Sequence, residues 1–319
     1  MHPPRKPTGK NKMLAYLSPV AAQALEMELD GEHVRFVHRW TPNEGTPWGA
    51  MTIIHGFGDH GGRFAGMATS LASLGLAVTA IDLIGHGRSP GRRGVIGSYD
   101  QMLDEVERAV RWTDGLFPRI PQFLFGQSMG GNLVINWLLR RDTHGVPLRG
   151  AIVGSPMLRA SNMPQEKIMN AGRWLAKCVP NLRIPTPVQV NKLSQNRQAQ
   201  DAYLRDPWVH RSMSLRLGAS LIDSGLWAIE NASQLPIPML LMHGTDDQLT
   251  CPTGTEEFCQ RAGGLATYSS WLNCRHDLHD EPVREQVFAK MTDWLKSQCI
   301  TTYRFPSQNR IATAVPMAA

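Results

Sequence analysis

The sequence predicts an α/β architecture: a mainly parallel sheet with helices on both faces and a helical insertion over one edge. Two observations carry this. Short apolar runs alternate with helical patterns through most of the 319 residues, and the alternation stops between about 155 and 233, where only helical periodicity continues. The runs at 50–55 (AMTIIH), 76–82 (LAVTAID), 122–126 (QFLFG), 150–154 (GAIVG) and 237–243 (IPMLLMH) are short, nearly continuously apolar and bounded by Gly or Pro. Strands covered on both faces read this way. Residues 34–40 (VRFVHRW) fit an antiparallel edge strand, and 267–272 (TYSSWL) a late strand. Helical patterns lie between them at 63–74, 99–116, 129–141 and 283–298, the last with Val283, Val287, Met291, Trp294 and Leu295 on one face.

Within 155–233 no run is strand-like. Residues 164–179 form an amphipathic helix pattern with Ile168, Leu175 and Val179 on one side. Pro180, Pro185 and Pro187 mark a loop, and 212–230 repeats Leu215, Ala219, Ile222, Leu226 and Ile229 at helical spacing. Such a segment is too long for an ordinary connection, and it leaves the sheet where strands of this kind end, beside the usual ligand crevice. The chain thus divides into a basic tail (1–16), a core in two parts (17–154 and 234–299), a helical cap (155–233) and a second tail (300–319).

Composition excludes several classes. The net charge of +6 comes from the tails, +4 from 1–16 and +2 from 300–319, so 17–299 is neutral. A neutral body has no field to steer a polyanion, and no nucleic-acid partner is expected. No apolar run approaches the length of a membrane span, and no apolar segment follows the basic N-terminus, so neither a transmembrane segment nor a signal peptide is expected. Five cysteines without C-x-x-C spacing suit reduced thiols in the cytoplasm better than a disulfide framework. Asn231–Ser233 matches a glycosylation sequon that no secretory signal supports. Without a His/Cys cluster at ligand spacing, no metal or organic cofactor is expected.

The chemistry concentrates at Gly126-Gln127-Ser128-Met129-Gly130, between a strand and a helix. A serine held between glycines at so sharp a turn presents its hydroxyl at a helix N-terminus, where free amides favour developing negative charge. The competing reading is a glycine-rich turn with an N-cap serine. His55-Gly56-Phe57-Gly58, at the end of an earlier strand, favours the nucleophile: such a loop donates one amide to an oxyanion and the residue after the serine the other, here Phe57 and Met129. His55 itself is expected to bond loop backbone. An alkoxide also needs a base and an orienting carboxylate. Gly244-Thr245-Asp246-Asp247 and Asn273-Cys274-Arg275-His276-Asp277-Leu278-His279 both follow later strands, on the edge that carries Ser128 and in the order acid then base.

In "HGFGDHGGRF", "IDLIGHGRSPGRRG", "GQSMGG", "LSQNRQAQDAYLRDP", "LLMHGTDDQLT" and "HDLHDEP", spread over about 17–299, the chain resembles the monoacylglycerol lipase and lysophospholipase group of α/β-hydrolases. The resemblance implies Asp247, not Asp246, as the acid and His276 as the base, with Ser128 as nucleophile. It implies that Arg63, Tyr203 and His279 lie near the polar head of the substrate. It implies a small single-chain lipid or ester substrate, cleaved through an acyl-enzyme, with no cofactor. Lysophospholipase or acyltransferase activity would use the same triad. A non-catalytic binding protein would be expected to have lost a triad member, and Ser128 argues against relatives with an aspartate nucleophile. One position departs: Ala199 stands where glycerol-binding members carry a glutamate. Met157, Leu158, Met163, Ile168, Met169 and Trp174 are the expected apolar surface for an acyl chain, and the cap would meet a lipid surface peripherally.

Overall fold

A computed structural model describes residues 20–29, 33–143 and 145–300. The tail residues 1–19 and 301–319, with all of the excess positive charge, lie outside the described residues. Among the described residues there are ten strands: β1 (Val20–Leu29), β2 (His33–Pro42), β3 (Gly49–Ile54), β4 (Leu76–Ile81), β5 (Gln122–Gln127), β6 (Leu148–Gly154), β7 (Arg183–Pro185), β8 (Ser212–Ser214), β9 (Met239–Gly244) and β10 (Ala266–Trp271). Eight of them form one sheet in the order β1-β2-β4-β3-β5-β6-β9-β10. From β4 to β10 every pairing is parallel; β2 joins β4 antiparallel, and β1 joins β2 antiparallel.

Alternation along the central strands builds two cores. Met51, Ile53, Phe123, Phe125, Ile152, Leu240 and Met242 point to one face, where they meet α1 (Ala65–Ser73) and α8 (Arg284–Ile300). Ile54, Leu124, Ala151, Val153, Met239 and Leu241 point to the other, against α2 (Tyr99–Leu116), α3 (Met129–Arg140) and α7 (Pro252–Ala262). Because the strands are buried on both sides, β3, β4, β5 and β9 have no exposed position, which is why their sequences read as unbroken apolar runs.

The insertion carries α4 (Glu166–Cys178), α5 (Arg197–Arg205) and α6 (Leu215–Glu230). It also holds β7 and β8, paired antiparallel, where the sequence reads as strand-free. Three-residue strands, one ending in a proline, are too short to leave a period-2 pattern. α6 is not confined to the cap: Leu217, Leu221, Ala228 and Ile229 join the core cluster beside α3. Asn132 and Asn136 of α3 donate to the carbonyls of Leu221 and Ser224, both at 3.3 Å. β1, α5 and α7 were not legible as elements. β1 is rich in Ala, Leu, Glu and Met, which favour helix, and sheet pairing overrides that preference. No helix among the described residues is long and apolar enough to cross a membrane, and the five cysteines are unpaired.

Candidate active site

Four parallel strands end on one edge, and each delivers part of the site. β5 ends at Gln127, and Ser128 follows with φ 55° and ψ −113°, at the N-cap of α3. A non-glycine residue in that region is strained and persists only where its surroundings fix it. Here they do. The Ser128 amide donates to Gly154 O (3.0 Å), and its carbonyl accepts from Asn132 N and Met157 N (both 3.0 Å). The glycines are sterically required: a Cβ on Gly130 would lie 2.1 Å from Ile54 O of β3, and one on Gly126 would lie 2.5 Å from Gly130 O. α3 can therefore start directly against the strands.

β9 ends at Gly244, and Asp247 follows on a turn that converges five donors on one carboxylate. Oδ2 accepts from His276 Nδ1 (2.7 Å), His243 Nε2 (2.9 Å) and the Thr250 hydroxyl (2.8 Å). Oδ1 accepts from the amides of Leu249 (2.7 Å) and Thr250 (3.1 Å). Burial alone would raise the Asp247 pKa, but the neighbouring His276 and His243 outweigh it and hold the group far below the usual carboxylate range. Asp246 is exposed; its amide donates to Cys274 O, and its carboxylate meets only the Thr245 hydroxyl at 3.1 Å. Of the two adjacent acids, only Asp247 reaches the imidazole.

β10 leads to His276, which is 4% exposed. Its carbonyl is gripped by Gln127 Nε2 (3.0 Å) and the Ser155 hydroxyl (2.8 Å). Donation from Nδ1 to Asp247 selects the tautomer whose Nε2 carries the lone pair. Burial opposes charge on His276, yet Asp247 more than compensates and raises its pKa. Ser128 and His276 line one cavity of about 280 Å³, together with Phe57, Met129 and Tyr203. The amides of Phe57 and Met129 have no acceptor among the described residues. Gly56 faces the serine, where a Cβ would sit 3.4 Å from Ser128 Cβ. His55 donates from Nδ1 to Gly56 O (2.7 Å) and accepts from Leu83 N (3.0 Å), the loop-backbone role the sequence suggests.

The head-group candidates separate. Tyr203 lines the Ser128 cavity with Asp59 and Asp277, and burial, with those two acids, pushes its hydroxyl up to about 12. Arg63 lies over the Tyr203 ring at 4.9 Å, between Asp59 (2.9 Å) and Asp280 (3.3 Å), and lines a second, larger hollow instead. His279 lines neither; it is buried and stacked on Phe64 at 4.6 Å. Ala199 also faces the second hollow. Of the expected acyl-chain surface, Met157 lines the cavity, Leu158 is buried in the core, and Ile168 and Trp174 point outward at 60% and 66% exposure. The apolar lining comes instead from Val188, Leu193, Met213, Leu221 and Ile222. Cys274 is buried and its thiol pushed up to about 11, which makes it a poor nucleophile.

Sequence reasoning missed His243, Thr250 and Asp277. Only His243 left a signal, its spacing of four from Asp247 at the end of an apolar run.

A mostly parallel sheet with a strained serine at a strand-to-helix turn, and an acid and a histidine at later strand ends, defines the α/β-hydrolase fold. Residues 45–283 match the family model described as Serine aminopeptidase, S33, and the chain belongs to that family. It is a hydrolase of the carboxylic-ester class. It is 30% identical over 278 residues to the human monoglyceride lipase, covering 85% of this chain and 89% of that one. It is 28% identical over 287 residues to a putative monoglyceride lipase of Schizosaccharomyces pombe, with 87% and 75% covered. An abhydrolase domain-containing protein of Dictyostelium discoideum is 29% identical over 261 residues, but this chain spans only 27% of its length. Among solved structures, a monoacylglycerol lipase from Paleococcus ferrophilus aligns with TM-score 0.72 at 27% identity, covering 83% of this chain and 99% of that one.

Proposed function

We propose that the chain cleaves monoacylglycerols and related single-chain lipid esters, with Ser128 as nucleophile, His276 as general base and Asp247 as its orienting acid. The observation that carries the reading is that Ser128 and His276 open on one cavity while Asp247 holds the His276 tautomer from behind. His276 Nε2 takes the Ser128 proton as Oγ attacks the acyl carbonyl. The amides of Phe57 and Met129 receive the oxyanion, each contributing roughly 3–4 kcal/mol. The imidazolium returns its proton to the departing alcohol, and water then hydrolyses the acyl-enzyme by the same route.

The cavity is divided to suit such a substrate. Val188, Leu193, Met213, Leu221 and Ile222 offer an apolar wall to an acyl chain, and Asp59, Tyr203 and Asp277 offer polar groups to a head. The chain meets lipid as a peripheral protein in the cytoplasm. Ile168, Trp174, Leu182 and Ile184 of the cap are 60%, 66%, 51% and 44% exposed, large apolar side chains that a lipid interface would cover.

A fluorophosphonate probe should label the wild type and leave Ser128→Ala unlabelled. A panel of monoacylglycerols, lysophospholipids and p-nitrophenyl esters of graded length then reads the substrate. Preference for lysophospholipids would replace the substrate, transfer to an added alcohol would make the protein an acyltransferase, and labelling of neither form would overturn the reading.

A further inference from the structure

Three neighbouring elements bring together side chains that the proposed reaction does not use. His38 sits on β2, Asp82 follows β4, and His60 opens the short turn at Gly61–Phe64 after β3. Their ligand atoms lie within 4.8 Å of one another. The residues stand 22 positions apart in the chain, so no motif announces them; β2, β4 and β3 are adjacent in the sheet and bring them to one place.

Each side chain is prepared for a cation. His38 Nε2 is buried, has no hydrogen-bond partner among the described residues, and faces Asp82 Oδ1 at 3.5 Å. That is long for a hydrogen bond. It is the separation of two ligands on a tetrahedral zinc, since bonds of about 2.0–2.2 Å place neighbouring ligand atoms about 3.3–3.5 Å apart. Asp82 is fully buried. The amides of Gly61 (2.7 Å, to Oδ1) and Arg88 (2.8 Å, to Oδ2) fix its orientation. His60 donates from Nε2 to Asp206 Oδ2 at 2.8 Å. A carboxylate behind a histidine is the support metal-ligating imidazoles carry, and it leaves Nδ1 with the lone pair. That nitrogen now accepts a 3.2 Å contact from the Gly62 amide, at the weak end of the range and easily exchanged for a metal bond. A hollow of about 620 Å³ lined by His38, His60, Gly62 and Asp206 gives an ion and a water ligand their way in. Arg63 and Arg88 share that hollow, and Asp206 and Asp280 offset them.

We propose that His38 Nε2, His60 Nδ1 and Asp82 Oδ1 form a binding site for a divalent transition metal, zinc by ligand type, with Asp206 as its supporting carboxylate. The fourth position is left to water. The ion links β2 and β4 to the loop that precedes α1 and, through Asp206, to the segment after α5.

Zinc(II) is titrated calorimetrically into full-length protein stripped by chelator, and cobalt(II) is followed by absorption. The wild type should take up one ion with tetrahedral cobalt bands and no thiolate charge transfer. His38→Gln should weaken binding at least tenfold, and Asp206→Asn by about 10–100-fold. Fluorophosphonate labelling of Ser128 in the same metal-free samples reports that each variant is folded, and separates failure of this site from failure of the proposed reaction. Equal affinity in wild type and folded His38→Gln, a thiolate signature, or no binding by the wild type would each overturn the assignment.

Discussion

Replacing Asp247 by asparagine tests the division of labour between two adjacent acids. The carboxylate accepts five hydrogen bonds, three at Oδ2 and two at Oδ1. An asparagine has one acceptor oxygen, so either orientation turns an NH₂ toward donors. If the NH₂ takes the Oδ2 position it faces His276, His243 and Thr250. The least costly escape is for His276 to move its proton to Nε2 and accept at Nδ1. Nε2 is then no longer a base, and the charge that stabilised the imidazolium is gone. A wrong tautomer of this kind costs about 10⁴ in turnover, or about 5.4 kcal/mol. Asp246→Asn leaves its backbone bond to Cys274 O in place and disturbs only the contact with the Thr245 hydroxyl, so its loss should stay below about tenfold. The assay is kcat/KM on a short p-nitrophenyl ester, with thermal unfolding as the control for folding. A folded Asp247→Asn within tenfold of wild type, or Asp246→Asn impaired as severely, would refute the assignment.

Gly130→Ala would drive a methyl to 2.1 Å from Ile54 O, with rigid backbone on both sides. It should cost at least about 3 kcal/mol and lower Tm by about 6–12 °C; an unchanged melting curve would sink the close-approach argument. His210 of the cap packs on Phe57 at 5.3 Å and His86 at 4.7 Å, and burial, with Arg93 and His55 nearby, lowers its pKa to about 4. The unfolded chain therefore binds a proton below about pH 6.5 that the folded chain refuses, and stability falls with pH over that window down to about 4. After allowance for solvent screening, His210→Gln should remove about 1 kcal/mol of the stability difference between pH 7 and pH 5 in urea unfolding, and identical pH dependence would count against it. Replacing Ile168 and Trp174 together by serine should weaken association with lipid vesicles at least tenfold and leave hydrolysis of a soluble ester unchanged, since neither side chain lines the cavity. Unaltered vesicle binding would move the contact surface elsewhere.

What was legible in the sequence follows from which forces act locally. The central strands announced themselves because burial on both faces demands apolar residues throughout, and the serine turn because its glycines answer a steric demand inside five residues. Phe57 and Met129 could be named because each lies just behind a strand end, whereas the choice of Asp247 over Asp246 and of His276 over His279 needed the family resemblance. What stayed hidden depends on tertiary partners. Thr250 matters only because the turn after β9 folds back to Asp247, and Asp277 lines the cavity only because its neighbour His276 is held there. His279, expected at the substrate head, stacks on Phe64, a contact no spacing reveals. The acyl wall was expected at Met157, Leu158, Met163, Ile168, Met169 and Trp174, but an apolar residue in a cap does not by itself say whether it looks inward or outward. Here Met157 lines the cavity, Ile168 and Trp174 look outward, and Val188, Leu193, Met213, Leu221 and Ile222 supply most of the wall.

The three proposed catalytic side chains are held in place mostly by backbone rather than by one another. Ser128 is fixed through its own amide and carbonyl to Gly154, Asn132 and Met157, and His276 through its carbonyl to Gln127 and Ser155. Asp247 is fixed through the amides of Leu249 and Thr250. Removing the Ser128 hydroxyl or the His276 ring therefore breaks none of the bonds that shape the strand ends. Such variants should fold and still bind lipid while failing to turn it over, which separates chemistry from architecture. Asp247 is the exception, because its side chain both orients the base and closes its own turn. A stability loss should accompany the loss of activity there and, because the buried Asp247 carboxylate loses a donor, at His276, but not at Ser128→Ala.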